Sequence, residues 1–282
     1  MSWKSVVRSL VPPIVWEFAR RAARPLRKSA EGFTYAPQGW RTPVPMGNGL
    51  DCAHFVARER RDWDLMLSRD LNQGALALLV TDVRSTHAQR VSEQSHWLSY
   101  AYALALAARD RQSIRILDYG GGLGYFYPIG RALVPGVVLE YHCRDLAGIV
   151  EEGRKVNPDA VWHTDDSCFD ESFDLVIFST VLQYVPDWQA LMRRAARSAR
   201  GYCFVAGTPT VERVPGFVSV QRVHGAVALY QTLNRSELLE TARGAGLQLV
   251  REFLPDEHPP ILNAPEQPRE CGWLLRRSEA AA

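Results

Sequence analysis

Asp118, Gly120, Gly121, Gly122 and Gly124 crowd into one short run, Leu117-Asp-Tyr-Gly-Gly-Gly-Leu-Gly124. The apolar stretch Ile114–Leu117 leads into it, and Tyr125-Phe126-Tyr127 leads out. Glycines in such a turn permit positive φ and let a ligand come close to the main chain. A helix opening just after it presents free N–H groups and a positive dipole end to that ligand. A dinucleotide turn spaced Gly-x-Gly-x-x-Gly needs its last glycine where Tyr125 stands. The spacing here is Asp-x-Gly-x-Gly-x-Gly. An acid directly before the turn repels a pyrophosphate but accepts from an ammonium group, so a nicotinamide cofactor is disfavoured.

Further acids follow at intervals. Asp145 ends the run Val137–Cys143-Arg144-Asp145, 27 residues after Asp118, where a carboxylate suits a ribose diol. Glu140 is the alternative, placed mid-strand. Asp165 and Asp166 lie beyond a third candidate strand, where one of the two can accept from an adenine amino group. Ser179 and Thr180 close the apolar run Phe173–Phe178, followed by Gln183 and Tyr184.

These residues need a frame. Ile114–Leu117, Val137–Cys143, Phe173–Phe178 and Tyr202–Ala206 read as buried strands, with Leu247–Phe253 and Cys271–Leu275 as the last. Asp187 can cap a helix that stops before Gly201. Asn234 with Glu237 forms a capping-box pattern for another, ending near Gly246. Such alternation predicts an α/β, Rossmann-like, doubly wound and mostly parallel sheet over residues 114–282. Residues 31–113 read as an N-terminal helical cap, with a loop over 32–49 and helices over about 53–80 and 87–110.

The acid-plus-glycine turn, the later acids and Phe173–Val185 resemble the class I S-adenosylmethionine-dependent methyltransferases. That likeness implies cofactor contacts from Asp118, Gly120, Gly121, Gly122, Gly124, Tyr125, Asp145, Asp165, Asp166, Ser179 and Thr180. Within the class, Leu117-Asp-Tyr-Gly-Gly-Gly-Leu-Gly124 and Leu233-Asn-Arg-Ser-Glu237, with Pro12-Pro13 and Gly272-Trp-Leu-Leu-Arg276, resemble a family of bacterial methyltransferases. Its association with surface polysaccharide biosynthesis implies O-methylation of a glycan or lipid-linked saccharide. The alternatives are N- or carboxyl-methylation of a small metabolite, and a catalytically idle, cofactor-binding partner of a glycan assembly complex.

Methyl transfer from a sulfonium is an in-line displacement, so holding donor and acceptor in contact is the main task. A hydroxyl acceptor also benefits from a base. Of seven histidines, His224 falls in the aperiodic stretch 208–232, where the class places acceptor contacts. Tyr184, Asp187 and Tyr230 are the other acceptor-side candidates. His142 and His163 read as pocket-shaping, and no His and carboxylate spacing in the sequence predicts a metal.

Hydrophobic residues make up 46% and charged residues 23% of 282, as in ordinary globular chains. Residues 1–30 carry a net +6, leaving −4 on the remainder of a chain whose formal charge is +2. No nucleic-acid partner is expected from that body. Residues 1–30 read either as a peripheral membrane-binding segment or as a segment docked on the domain. Five cysteines without a Cys-x-x-Cys pair predict reduced thiols and a cytoplasmic location, at most at the inner face of the membrane.

Overall fold

The computed structural model describes residues 32–44, 53–69, 88–223 and 226–278. The expectations for residues 1–30, and for His224, lie outside the described residues.

The central sheet runs β4–β3–β2–β5–β6–β11–β9. These strands are β2 (Ser113–Tyr119), β3 (Val138–Arg144), β4 (Val161–His163), β5 (Phe173–Ser179), β6 (Ala199–Val211), β9 (Leu247–Glu257) and β11 (Arg269–Arg277). The first five in that spatial order are parallel, and β11 lies antiparallel to both β6 and β9.

Alternate residues of each strand feed two cores. Ile116, Leu175, Ile177 and Phe204 meet Tyr100, Leu104 and Ile149 on one face. Leu117, Val176, Phe178 and Val205 meet Trp188, Met192 and Leu238 on the other. Burial on both faces explains why the inner strands read as unbroken apolar runs rather than as alternation. The helices supplying the first face include α1 (Ala53–Arg69), α2 (Ala88–Ala108), α3 (Phe126–Leu133) and α4 (Ala147–Val156). Helices α5 (Trp188–Ser198) and α6 (Arg235–Gly244) cover the second. Asp187 caps α5 through Ala190 N–H at 3.0 Å, and Asn234 caps α6 through Glu237 N–H at 3.1 Å. The Glu237 carboxylate accepts from Gln189 instead of completing a box.

Two expectations change. The stretch read as an aperiodic loop is the end of β6 plus a hairpin, β7 (Phe217–Val223) and β8 (Ala226–Asn234). Its period was hidden because Phe217–Gln221 are buried on both sides, so polar and apolar residues do not alternate. The segment read as a loop before the helical cap contributes β1 (Gly32–Tyr35), which pairs with β7 and with β10 (Ile261–Leu262). A four-residue strand carries too little pattern to stand out from Gly- and Pro-rich surroundings. This second sheet joins the first where Thr210 and Val211 pair with Leu233 and Asn234.

Candidate functional site

A cavity of about 660 Å³ opens over the C-terminal ends of β2, β3 and β5, roofed by α1 and α2. Parallel sheets with a reversal of strand order place ligands there. The glycine turn forms its floor. Gly120, Gly122 and Gly124 adopt φ of +72°, +59° and +79°, and a Cβ on Gly120 would lie 2.3 Å from Val181. No other residue type fits that backbone. Gly120 N–H donates to Arg144 O at 2.7 Å, tying the turn to the end of β3.

The acids take distinct positions. Asp118 is wholly buried beneath the turn, accepting from the Tyr141 hydroxyl on one oxygen while its Oδ1 has no partner among the described residues. Burial raises its pKa to about 7, against the opposing Tyr141 bond. Asp145 sits just past β3 and lines the cavity, accepting from Gly122 N–H at 2.8 Å and Leu146 N–H at 2.7 Å. Glu140 is exposed and paired with Arg115, away from the cavity.

Asp165 and Asp166 do not line the cavity. Asp165 caps a short 3-10 turn through Ser167 N–H. Asp166 is held by Arg194 at 3.0 Å, Arg144 at 3.2 Å and the Tyr119 hydroxyl at 3.0 Å. Its partners Arg144 and Tyr119 form the wall in front of it.

Ser179, Thr180 and Tyr184 line the cavity. Thr180 has φ of +53°, a strained conformation for a β-branched residue, held by its N–H bond to Ala206 O. The Tyr184 hydroxyl donates to Gln221 Oε1 at 2.8 Å, and burial pushes its pKa up to about 12. Tyr230 stands behind Tyr184, ring centroids 5.5 Å apart, with its hydroxyl 2.9 Å from His258 Nε2. Neither Tyr230 nor the helix cap Asp187 reaches the cavity.

The sequence reading placed a helical cap over the sheet and Tyr125 at the cofactor, but not the cap's lining side chains. Tyr125 donates to the Glu59 carbonyl at 2.9 Å and packs on Trp63, joining the glycine turn to α1. Burial raises Glu59 to a pKa of about 7. Glu59, Asp62 and Glu270 add to Asp118 and Asp145, so among the described residues carboxyls outnumber the one lining cation, Arg144. His96 of α2 also lines the cavity, its Nε2 2.7 Å from Ser179 Oγ and its ring stacked near Phe126. Burial lowers its pKa to about 4, leaving a neutral imidazole at physiological pH. Nothing in local spacing marks His96, because it meets Ser179 only across the fold.

The strand order, with its antiparallel β11, and the acid-plus-glycine turn at the strand ends define a class I, Rossmann-like methyltransferase. The family described as "Methyltransferase domain" matches residues 92–252, and this chain belongs to it. It is an S-adenosylmethionine-dependent methyltransferase. Among solved structures, it is similar to magnesium protoporphyrin IX methyltransferase from Synechocystis PCC 6803 with bound S-adenosylmethionine. That match has 15% identity and a TM-score of 0.47, covering 78% of this chain and 97% of the other. It is also similar to 1,6-didemethyltoxoflavin-N1-methyltransferase from Burkholderia thailandensis, at 16% identity and a TM-score of 0.44, covering 86% and 94%. No curated protein sequence matches.

The residues present fit the donor. An unpartnered carboxyl oxygen under the turn, an acid past β3 and an acid-rich lining complement an ammonium and a sulfonium. Main chain at positive φ lets the ligand lie against the turn. When bound, the donor supplies the electrophilic methyl group and its own leaving group.

Proposed function

We propose that the protein transfers the methyl group to a hydroxyl oxygen, on a bacterial glycan or lipid-linked saccharide. The observation that carries this reading is the neutral His96 imidazole against Ser179 Oγ, both on the cavity lining. A hydroxyl acceptor needs its proton removed as the new bond forms, and the neutral imidazole has a lone pair with which to accept it. The acceptor hydroxyl would pass its proton to His96 directly or through Ser179. Phe55, Trp97 and Tyr184 add flat apolar rings to the same lining, a fit for the apolar faces of a sugar. Asp145 and Glu59 would hold the donor, and Gly120–Gly124 would place it against the acceptor. The saccharide class rests on the likeness of Leu117–Gly124 and Leu233–Glu237, with Pro12-Pro13 and Gly272–Arg276, to polysaccharide-associated methyltransferases.

Methyl-labelled S-adenosylmethionine, offered with saccharide, amine and carboxylate acceptors, tests the reading. Methyl ethers on saccharides are the expected product. Label found only on nitrogen or as methyl esters, or donor bound without any transfer, would sink it.

A further inference from the structure

Away from the cavity, the fold brings together three residues from separate segments. His142 lies on β3, His163 ends β4, and Glu171 precedes β5. One ligand atom from each lies within 4.8 Å of the others. His142 Nδ1 and His163 Nε2 are 3.0 Å apart. Two imidazoles on one tetrahedral zinc, each at about 2.0–2.1 Å, have nitrogens roughly 3.3 Å apart. The spacing therefore needs little adjustment to admit an ion.

The surroundings supply more than proximity. His142 is buried, and its Nε2 lies 3.0 Å from Glu140 Oε1. Arg115, 3.3 Å from Nε2, competes for the same carboxylate. With the proton on Nε2, donated to the Glu140 carboxylate, Nδ1 keeps a lone pair aimed at His163. That is the arrangement that orients metal-binding histidines elsewhere. The Arg115 guanidinium contacts Glu171, Glu140 and His142 Nε2, so it opposes a cation while holding both carboxylates in place. Only one Glu171 oxygen contacts Arg115 in that ion pair. Glu171 is half exposed, which leaves a route for an ion and water ligands.

We propose that His142, His163 and Glu171 form a binding site for a zinc-like divalent transition ion, with water completing the shell. Two imidazoles and one carboxylate suit such ions better than magnesium, which prefers oxygen donors. Binding requires His163 to move its proton from Nε2 to Nδ1, while His142 keeps its tautomer. The ion would clamp β3, β4 and the segment leading into β5. The site is independent of the methyl acceptor, so it stands or falls separately from the proposed reaction.

The test uses the purified full chain, treated with chelator and titrated with Zn²⁺ alone by calorimetry. One equivalent should bind and raise the melting temperature. Co²⁺ should give the visible absorption of a tetrahedral site. His163→Ala should weaken Zn²⁺ binding by at least about 100-fold, and Glu171→Ala, at a half-exposed position, by about tenfold or more. Glu140→Ala touches no ion, yet it should cost about 10–100-fold through the orientation of His142. A plain hydrogen bond between the two histidines predicts none of these losses. No uptake of one equivalent, equal affinity in the folded Glu171→Ala variant, or Mg²⁺ binding as tightly as Zn²⁺ would each overturn the assignment.

Discussion

The two sides of the cavity are built by different means. The floor is mainly backbone: a glycine turn at positive φ, its N–H groups, and an acid one residue past a strand. The roof and far wall are side chains from Glu59 and Tyr125, His96 and Tyr184, the last held from behind by Gln221, joined across long sequence separations. Backbone geometry cannot be altered one side chain at a time, which suits a donor shared by a whole family. Side chains can be exchanged singly, which suits an acceptor that differs between relatives. On the proposed reading, the floor would serve chiefly the donor, with Glu59 reaching it from the roof, and the remaining roof side chains would serve the acceptor.

That contrast can be broken most sharply at His96. If it takes the acceptor proton, His96→Ala should lower turnover by about 10²–10⁴-fold at saturating acceptor, with donor affinity nearly unchanged. His224→Ala, the substitution favoured by sequence alone, should change turnover far less. The reverse order in single-turnover rates would move the base out of the cavity roof.

A smaller effect is expected on the floor. Asp145→Ala removes the carboxylate that braces Gly122 and lines the cavity where the donor is proposed to sit. Donor affinity should fall by about 1.5–3 kcal/mol, the range for hydrogen bonds to a charged group. Calorimetry with S-adenosylhomocysteine checks it, and a loss confined to acceptor KM would contradict the division of the cavity.

Glu59 and Asp118 then give a pH signature. Both carboxyls have folded pKa values raised to about 7, from ordinary values of 4.5 and 3.8. The folded state thus holds protons that the unfolded state has lost. Stability contributed by these groups is full below about pH 4 and falls as pH rises toward 7. A cationic donor favours the ionised forms, so S-adenosylmethionine should bind more tightly as pH passes from 6 to 8, by up to about tenfold per unit for each coupled group. Melting curves and donor titrations across that window measure both trends. Affinity that is flat in Glu59→Gln but not in the native chain would locate the effect in the roof.

The smallest change concerns positioning. Tyr184→Phe removes the hydroxyl that holds Gln221, and should cost about 0.5–1.5 kcal/mol of stability. Acceptor KM should move more than donor affinity. Equal shifts in both would show that Tyr184 serves the floor as well.

By itself, the amino-acid order determined the sheet core, the glycine turn and the acid after β3. Each of these is local: an apolar run of strand length, a positive-φ turn, and a carboxylate a few residues beyond a strand. Chain order also marked Asp187 and Asn234 as helix caps, because capping is a contact over three residues. Tertiary structure decided what depends on distant partners. The approach of α2 to the end of β5 put His96 on Ser179, and adjacent strands brought His142 to His163, 21 residues away. Asp165 and Asp166 fell behind the wall because Arg144 and Arg194 converge on Asp166 from β3 and α5, and Asp165 turned to cap its own 3-10 turn. Sequence spacing carries the period of one element, whereas a site made between elements exists only once their packing has fixed which faces meet.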